Sequence, residues 1–449
     1  MSTNLILLAA GAGTRMLSDR AKVLHEIAGA PIFAHALNSA AALDGLRVIV
    51  TGHDGASVRK AALEFDETLI CVDQPRQLGT AHAVTMAADA LKDAGGDTVM
   101  LFGDTPFIRP DTLEAMSAAR ADGADIVFLG FQAADPARYG RMITEGDTLL
   151  KIVEWKDASE DERAIRLCNS GVVMAQTETL LRLAAATGND NAAGEYYLTD
   201  IAELGRAEGL SVKVVTCDEA ETLGINSRTD LAAAETVFQT RARADLLANG
   251  VTMQAPETVF LAFDTHIGRD AVIEPNVVFG PGVTIESGAR IRAFSHLEGC
   301  HVSTGAVVGP YARLRPGAEL ANDARVGNFV EVKNAQIGEG AKVNHLTYIG
   351  DAEIGDGTNV GAGTITCNYD GVFKHRTVIG KNAFIGSNTL IIAPRKIGDE
   401  AMTATGSVIN KDVPDGDLAV SRGKQENKPG YARKLFARLR AAKAAKRKG

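Results

Sequence analysis

Two hydrophobic patterns divide the chain, and the first covers residues 1–226. Short apolar runs alternate there with Ala-rich stretches whose apolar residues have helical spacing. Apolar runs bounded by turn residues predict buried β-strands, and their alternation with helices predicts a doubly wound, Rossmann-like α/β sheet. The predicted strands are residues 4–10, 47–51, 69–72, 98–103 and 125–131, and the predicted helices include residues 81–94 and 111–121.

The second pattern is a six-residue repeat that begins at Ile267. A large apolar residue occupies 22 of 23 repeat positions, and the exception is Thr403. This period indicates a left-handed parallel β-helix, in which three hexapeptides form one triangular coil and about eight coils stack at about 4.8 Å. The inward positions are Ile267, Ile273, Phe279, Ile285, Ile291, Leu297, Val302, Val308, Leu314, Leu320, Val326, Val332, Ile337, Val343, Ile349, Ile354, Val360, Ile379, Ile385, Ile391, Ile397, Thr403 and Ile409.

The repeat is interrupted at residues 366–376, a segment too long for a corner of the prism. We expect it to project as a loop, and projecting loops often carry function. Residues 228–249 have apolar residues at helical spacing and no turn signal until Asn249-Gly250, so they predict a connecting helix. The predicted parts are an α/β domain of residues 1–228, a helical linker of 229–249 and a β-helix domain of 250–449.

Composition narrows the class of protein. Hydrophobic residues make up 45% of the chain and charged residues 23%, as in soluble globular proteins. No apolar run is long enough to span a bilayer, and the apolar start of the chain predicts a strand, not a signal peptide. The five cysteines are scattered and form no C-x-x-C pair. We therefore expect reduced thiols and a cytoplasmic location, without a zinc site or a disulfide framework.

The net charge of −9 conceals a basic C-terminal tail. Residues 431–449 contain eight Lys or Arg and no acidic residue, so the remainder has 39 basic against 56 acidic residues. Such a tail could bind phosphates, nucleic acid or an anionic surface. A solvated helix end has the same composition, and the sequence leaves both interpretations open.

A candidate nucleotide site begins where the first strand ends. The segment Leu8-Ala9-Ala10-Gly11-Ala12-Gly13-Thr14-Arg15-Met16 has small residues that would let backbone N–H groups approach a polyphosphate, and Arg15 and Lys22 would add positive charge. Asp104 follows a buried strand, where a carboxylate suits Mg²⁺. The alternatives are a plain tight turn for the glycines and a helix N-cap for Asp104. Further polar candidates at strand ends, each also a possible turn or cap residue, are Gln74, Gly79, Thr80, Tyr139, Gly140, Glu154, Asn169 and Asn226.

A second candidate site lies on the prism, where polar residues depart from the repeat. Arg315, Lys333, His345, Tyr348 and Asn359 are separated by steps that place them on neighbouring coils. Two cations would bind a sugar phosphate, and a histidine beside them could act as a general base. Taken alone, His345 could equally be a surface histidine.

Both halves together resemble the bifunctional bacterial family of N-acetylglucosamine-1-phosphate uridyltransferases/glucosamine-1-phosphate N-acetyltransferases, over nearly all 449 residues. The opening motif alone is typical of any sugar nucleotidyltransferase, and its combination with the β-helix motifs is specific. Three positions depart from the family pattern: Ala21 stands where Pro is usual, Phe102 where Tyr is frequent, and Thr405 where a small corner residue is usual.

The resemblance implies a role for each candidate. Arg15 and Lys22 would offset charge on the triphosphate, and Asp104 and Asn226 would hold Mg²⁺. His345 would be the base of acetyl transfer. Nucleotide and sugar would be bound by Leu8, Ala9, Ala10, Gly11, Lys22, Gln74, Gly79, Thr80, Phe102, Gly103, Asp104, Gly140, Glu154, Asn169 and Asn226; glucosamine-1-phosphate by Arg315, Lys333, Tyr348 and Asn359; and acetyl-CoA by Ala362, Asn368, Tyr369, Ser387, Thr405 and Arg422.

The implied partners are UTP, N-acetylglucosamine-1-phosphate, glucosamine-1-phosphate and acetyl-CoA, with neither nucleic acid nor membrane insertion. We also expect a homotrimer through the β-helix, in which the loop at Asn368-Tyr369 docks on a neighbour and Arg422 reaches a neighbour's CoA. Two other interpretations are a monofunctional nucleotidyltransferase with a structural or regulatory β-helix, and a non-catalytic scaffold. The polar cluster on the prism argues against the first, and Arg15, Asp104 and Asn226 argue against the second.

Overall fold

The computed structural model of the chain describes residues 2–446 and divides into two compact units. The first comprises Met1–Asp245 with Leu261–Phe263, and the second comprises Leu246–Phe260 with Asp264–Gly449. The predicted connecting helix is present as Arg228–Ala248. Most of this helix belongs to the first unit, because Gln239 donates to the carbonyl oxygen of Leu261 at 2.7 Å and the returning segment packs there.

The first unit is built on a nine-stranded mixed sheet with the order β5-β4-β1-β6-β10-β7-β11-β9-β8. Strand β1 is buried on both faces, as its unbroken apolar run requires for a central strand of a parallel sheet. The strands are β1 Thr3–Ala9, β2 Glu26–Ile27, β3 Ala30–Pro31, β4 Arg47–Thr51, β5 Ile70–Asp73, β6 Asp97–Phe102, β7 Ile126–Gln132, β8 Arg141–Glu145, β9 Thr148–Val153, β10 Leu167–Gln176 and β11 Val212–Cys217.

Helices cover the sheet of the first unit. They are α1 Ile32–Ser39, α2 Gly55–Phe65, α3 Thr80–Thr85, α4 Ala88–Leu91, α5 Pro110–Ala121, α6 Glu160–Arg163, α7 Thr177–Ala186, α8 Ile201–Ala207 and α9 Arg228–Ala248. The prediction of one continuous helix over residues 81–94 is wrong. The N–H groups of Met86 and Ala87 bond to carbonyls three residues earlier, and this tighter turn separates α3 from α4.

The second unit is a parallel β-helix with three faces. The first face has ten strands: Thr252–Met253, Val272–Ile273, Arg290–Ile291, Val307–Val308, Arg325–Asn328, Lys342–His345, Asn359–Val360, Phe384–Ile385, Met402–Thr403 and Leu418–Ala419. The second face contains Val278–Phe279, His296–Leu297, Arg313–Leu314, Ile365–Cys367, Leu390–Ile392 and Val408–Ile409. The third contains His266–Ile267, Val283–Ile285, Cys300–Val302, Ala318–Leu320, Thr377–Ile379 and Arg395–Ile397, and Glu331–Ile337 and Tyr348–Ile354 each run from the second face onto the third.

The repeat positions form the core of the prism. All 23 except Ile267, in the first coil, are buried. Each stands over its counterpart one coil away, as in the pairs Leu314 with Val332 and Val343 with Val360. Thr403 is fully buried, and its Oγ1 accepts from the N–H of Gly386 at 3.0 Å, so this polar exception leaves no unsatisfied group.

The interruption of the repeat is shorter than the predicted loop of residues 366–376. Strand Ile365–Cys367 still belongs to the second face, and Thr366 occupies a buried inward position. The hydroxyl of Thr366 accepts from the N–H of Gly350 at 2.8 Å, which lets a threonine replace the usual apolar residue. The projecting segment therefore begins at Asn368. A polar inward residue concealed this strand from the repeat pattern.

Outside these elements, the basic tail forms helix α10, Tyr431–Lys446, whose described side chains lie mostly exposed. The last three residues of the predicted tail, 447–449, lie outside the described residues. No helix in residues 2–446 is long and apolar enough to cross a bilayer. All five cysteines are free, and burial raises the pKa of Cys217 and of Cys300 to about 12.

We expect the inward stack to have its greatest effect on stability in the middle of the prism. Ile349→Ala, in a fully buried position with coils above and below, should lower the free energy of unfolding by about 2–5 kcal/mol because it leaves a cavity. Ile267→Ala, at the half-buried start of the same repeat, should cost clearly less. Urea unfolding of both full-length variants measures this, and equal losses would contradict the stacked core.

Candidate active sites

The loop after β1 brings its backbone to the carboxyl edge of the sheet. Gly13 has φ 58°, and a Cβ there would lie 2.6 Å from the Cβ of Lys22, so glycine is needed for this turn and for the close approach of Lys22. Arg15 lies in the following short 3₁₀ turn, Thr14–Met16, and is exposed. Ala21 has φ −52°, an angle that proline also adopts, so its departure from the family pattern leaves this backbone unchanged.

A cavity of about 300 Å³ lies at the carboxyl ends of β1, β5 and β6. Ten of the predicted residues line it: Leu8, Ala9, Ala10, Gly11, Lys22, Gln74, Gly79, Thr80, Phe102 and Asp104. Gln77 and Glu195 also line it, and neither was predicted from the sequence. Because the strand order places β5, β4, β1 and β6 side by side, residues from four distant segments meet at the point where open α/β sheets bind ligands.

Lys22, which lines this cavity, connects one carboxylate and one amide. Its Nζ forms an ion pair with Asp104 Oδ2 and a hydrogen bond of 3.1 Å to Asn226 Oδ1. The Lys22 side chain is buried, so this cation takes part of its charge compensation from Asp104. The alternative role of Asp104 as a helix cap is wrong, because α5 begins at Pro110 with Arg109 as its N-cap.

The same contacts test whether Mg²⁺ fits the site. The oxygens of Asp104 and Asn226 converge on one cation, the amine of Lys22. Among residues 2–446 there is no cluster of three His, Cys, Asp or Glu side chains that could enclose a metal. One carboxylate and one amide, completed by substrate phosphates and water, are the kind of ligand set that Mg²⁺ uses. The residues present therefore fit Mg²⁺.

Gln74 is held rigidly beside the cavity. It is buried, and its Nε2 lies 3.1 Å from the carbonyl oxygen of Gly79 and 2.9 Å from Nδ1 of His82. With Nε2 engaged by these two partners, the amide oxygen of Gln74 is the atom available to a ligand. Gly79 has φ 124°. Thr80 begins α3, and the Thr80 hydroxyl accepts from the N–H of Leu198 at 2.9 Å.

A second group of predicted residues lies beside the first cavity. Asn169 donates its N–H to the carbonyl oxygen of Gly140 at 2.9 Å, and Gly140 packs on the carboxyl of Glu154. Glu154 lines a smaller cavity of about 240 Å³ that shares Glu195 with the first one. Gly103 donates to the carbonyl oxygen of Leu8 at 2.8 Å and so joins the ends of β1 and β6.

Burial raises the pKa of Glu154 from its ordinary value of 4.5, and the nearby Asp200 carboxylate adds to the increase. A hydrogen bond of 3.3 Å from Thr199 partly opposes it. Burial likewise raises the pKa of Asp200. Glu154 both lines a cavity and has a raised pKa, so it is a candidate functional residue.

On the prism, one column of predicted residues follows the edge between the first and second faces. His345 ends strand Lys342–His345, and the register of Val343 with Val360 places Ala362 above it. The same register continues to Ser387 and Thr405. Backbone hydrogen bonds join successive coils along this edge. The N–H of Gly363 donates to the carbonyl oxygen of His345 at 3.3 Å, that of Asn388 to Ala362 at 2.7 Å, and that of Gly406 to Ser387 at 2.8 Å.

Arg422 lies at the far end of this edge column, which we define as His345, Ala362, Ser387, Thr405 and Arg422. Its Nη1 donates to the carbonyl oxygen of Thr405 at 2.7 Å. The expectation that Arg422 reaches a neighbouring chain stays a prediction, and within its own chain the side chain lies along the prism. This hydrogen bond uses the backbone of Thr405. The threonine side chain, which departs from the family pattern, therefore does not disturb the bond.

A second set of predicted residues lies on the second face. The register of Leu314 with Val332 places Lys333 over Arg315, and Arg315 pairs with Glu331 at 2.9 Å. Tyr348 stands over Glu331. Asn359 instead lies on the first face, where it pairs with Lys342. The structure thus distributes the predicted sugar-phosphate residues over two faces of the prism.

The two loop residues predicted for acetyl-CoA occupy different environments. Asn368 is buried and donates to Asp351, a buried carboxylate that also accepts from Asn334 at 2.6 Å. Tyr369 is exposed, with the amine of Lys374 at 4.0 Å from its ring centre. Beyond it, Val372 and Phe373 are 74% and 67% exposed. The base of the loop is fixed, whereas its tip presents an apolar surface.

Sequence reasoning missed Glu331, Asp351 and Asn328 as members of the site. Asn328 Oδ1 lies 2.8 Å from Nδ1 of His345. Glu331 could have been found from its place two residues before Lys333 and 18 after Arg313, which sets it on the same face. The contacts of Asn328 and Asp351 depend on side-chain conformations, for which the repeat gives no signal.

A nucleotide-sized cavity at the edge of an α/β sheet, followed by a hexapeptide prism with its own histidine, defines a two-domain transferase. Residues 5–193 match the MobA-like NTP transferase domain family, and residues 264–299 match the bacterial transferase hexapeptide family (six repeats), consistent with the predicted left-handed β-helix. Relatives named bifunctional protein GlmU are 67% identical in Ruegeria sp. (strain TM1040) and 67% in Ruegeria pomeroyi, both over 100% of each chain. The relative of the same name in Dinoroseobacter shibae is 65% identical over 99% of each chain.

The chain belongs to the family of bifunctional GlmU proteins. It is a bifunctional transferase with uridyltransferase and acetyltransferase activities, so the family predicted from the sequence is confirmed. The monofunctional and non-catalytic interpretations are not favoured.

The raised pKa of Glu154 predicts a pH-dependent cost to stability. The folded state holds this proton more tightly than the unfolded state, so stability falls as pH rises from 4.5 through the raised pKa. Glu154→Gln should therefore raise the melting temperature at pH 7, and the gain should disappear near pH 4. Glu145→Gln, an exposed change at the end of β8, should alter neither. A Glu154→Gln protein that melts below the parent at pH 7 would contradict this account.

Proposed function

We propose that the first unit transfers UMP from UTP to N-acetylglucosamine-1-phosphate, giving UDP-N-acetylglucosamine and pyrophosphate. The observation that carries this proposal is the convergence of Asp104 and Asn226 on Lys22, which lines the cavity. A buried cation beside metal-type oxygens is the arrangement that a triphosphate requires, because phosphoryl transfer depends on positioning and charge neutralisation.

Each part of the cavity has a task in this reaction. The small residues Leu8 to Gly11 and the amide oxygen of Gln74 would hold the nucleotide, since that oxygen can accept the ring N–H of uracil. Glu154 and Asn169 would bind the sugar hydroxyls. Lys22 and Arg15 would offset charge as the sugar phosphate attacks the α-phosphorus in line. Asp104 and Asn226 would hold Mg²⁺, which when bound supplies further charge neutralisation on the phosphates.

We propose that the second unit supplies N-acetylglucosamine-1-phosphate by acetylating glucosamine-1-phosphate. His345 would take a proton from the glucosamine amine as its nitrogen forms a bond to the thioester carbonyl of acetyl-CoA. The C–S bond then breaks, and the CoA thiolate is protonated on leaving. Arg315 and Lys333 would bind the sugar phosphate, with Tyr348 and Asn359 beside them.

The edge column supports a specific orientation of acetyl-CoA. Four coil steps of about 4.8 Å separate His345 from Arg422, or about 19 Å. An extended pantetheine arm could follow Ala362, Ser387 and Thr405, with its thioester at His345 and its phosphates at Arg422. Asn368 and Tyr369 would complete the site from the loop.

We further propose that the protein is a cytoplasmic homotrimer with acetyltransferase sites between chains. His345 belongs to the edge column and Asn359 lies on the first face, whereas Arg315 and Lys333 lie at the end of the second face away from this edge. Three prisms related by a threefold axis would bring these two sets together. The exposed Val372 and Phe373 at the loop tip would then be buried against a neighbour.

The two activities should separate by mutation. Asp104→Ala should abolish uridyl transfer and leave acetyl transfer intact, and EDTA should have the same effect. His345→Ala should lower kcat of acetyl transfer by about 10²- to 10⁴-fold and spare uridyl transfer. Asp73→Ala and His301→Ala, which change a carboxylate and an imidazole outside the two proposed sites, serve as controls. Loss of both activities in a folded single variant would contradict the two-site proposal.

Mixed trimers should recover acetyl transfer when one mutation lies in the edge column and the other lies on the second face. His345→Ala and Lys333→Ala subunits, each inactive alone, should complement because one cleft in the mixture has both residues intact. His345→Ala with Arg422→Ala should not complement, since both belong to one edge column. Kinetics on verified mixed trimers measure this. Recovery in the second mixture alone, or a monomer by light scattering, would contradict the proposed arrangement.

A further inference from the structure

Asn328 contacts the imidazole of His345 from the preceding coil. The two residues end consecutive strands of the first face, Arg325–Asn328 and Lys342–His345, and they pair in register. Nδ1 of His345 lies 2.8 Å from Oδ1 of Asn328. The backbone carbonyl of His345 accepts from Oγ1 of Thr347 at 2.6 Å, so both the ring and its backbone are fixed.

This hydrogen bond determines which ring nitrogen carries the proton. An amide oxygen only accepts, so Nδ1 of His345 must donate. Neutral imidazole has a single ring proton, and Nε2 is therefore left with its lone pair. A base that must receive a proton from an amine needs that lone pair, and it needs the ring held in one orientation.

The charges around His345 explain why an amide suits this position better than a carboxylate. The groove around the ring has a volume of about 270 Å³, and the charged groups that line it from the neighbouring strands are Arg292 and Arg325. An aspartate at position 328 would stabilise the protonated ring, whereas the neutral amide of Asn328 orients the ring without retaining the proton.

We propose that Asn328 is a positioning residue for acetyl transfer, which fixes His345 in the tautomer with a free Nε2. This inference rests on the proposed role of His345 as general base. Asn328 itself has no contact with the reacting atoms in the proposal and acts through the imidazole.

Asn328→Ala and Asn328→Asp, made in the full-length protein, test this role. Asn328→Ala should lower kcat of acetyl transfer by about tenfold, the effect of losing one oriented hydrogen bond, with KM for both substrates unchanged. Asn328→Asp keeps an acceptor and should restore most of kcat at alkaline pH. Its acid limb in the profile of kcat against pH should move to higher pH, because the carboxylate stabilises the protonated ring.

Two controls separate positioning from folding. Uridyl transfer should be unchanged in every variant, since its site lies in the other unit. Asn344→Ala alters an amide that lines the same groove but makes no hydrogen bond to His345 among the described residues, and it should leave kcat and the pH profile unchanged.

Three outcomes would decide against the inference or its premise. An unchanged kcat in Asn328→Ala, with His345→Ala inactive, would overturn the role of Asn328 alone. A folded Asn328→Asp without activity at any pH would show that the amide donates to Nδ1 instead of accepting from it, which also overturns the inference. Full acetyl transfer in His345→Ala would overturn the proposed general base itself.

Discussion

In-register pairing of parallel strands is the constraint on which both catalytic units depend. On the prism, every side chain stands over the residue one coil away, so Asn328, His345, Ala362, Ser387 and Thr405 form a single line. In the α/β unit, the parallel strands β5, β4, β1 and β6 end at one edge and deliver Gln74, Leu8 and Asp104 to one cavity. Backbone hydrogen bonds thus fix the positions of functional groups that are far apart in sequence.

The two units solve different electrostatic problems with this framework. The first concentrates charge: Lys22 is buried and is compensated by Asp104, so the cavity holds a cation and an anion side by side. The second pairs its proposed base with an uncharged partner. His345 is exposed at an edge and is bonded to an amide, and the ion pair of Arg315 with Glu331 lies on a different face. Each arrangement suits the reaction that we propose for its unit, nucleotidyl transfer in the first and proton abstraction in the second.

The repeat predicted most of the prism, because a buried apolar residue every six positions leaves only one way to fold. It failed at Thr366, where a hydroxyl bonded to Gly350 replaced the expected apolar side chain. The five predicted strands of the α/β unit agree with β1, β4, β5, β6 and β7 within about one residue, whereas β8 to β11 were not predicted. The break between α3 and α4 depends on a local change in hydrogen bonding that Ala-rich sequence does not signal. The family motifs identified the residues of the first cavity, but the contact of Lys22 with Asp104, 82 residues apart, required the structure.

The edge column sets the distances between its residues in steps of one whole coil. Its spacing cannot be adjusted continuously, because inserting or deleting a few residues either forms a bulge at a corner or rotates all later residues onto another face. Only the gain or loss of a complete coil would move Arg422 relative to His345, and it would do so by about 4.8 Å. The loop that begins at Asn368 shows how the prism accommodates extra residues. They project from the prism, while the strands before and after them still pair with the neighbouring coils. In the proposed orientation of acetyl-CoA, the distance from thioester to phosphates is therefore set in discrete steps, and a donor of intermediate length would fit neither His345 nor Arg422.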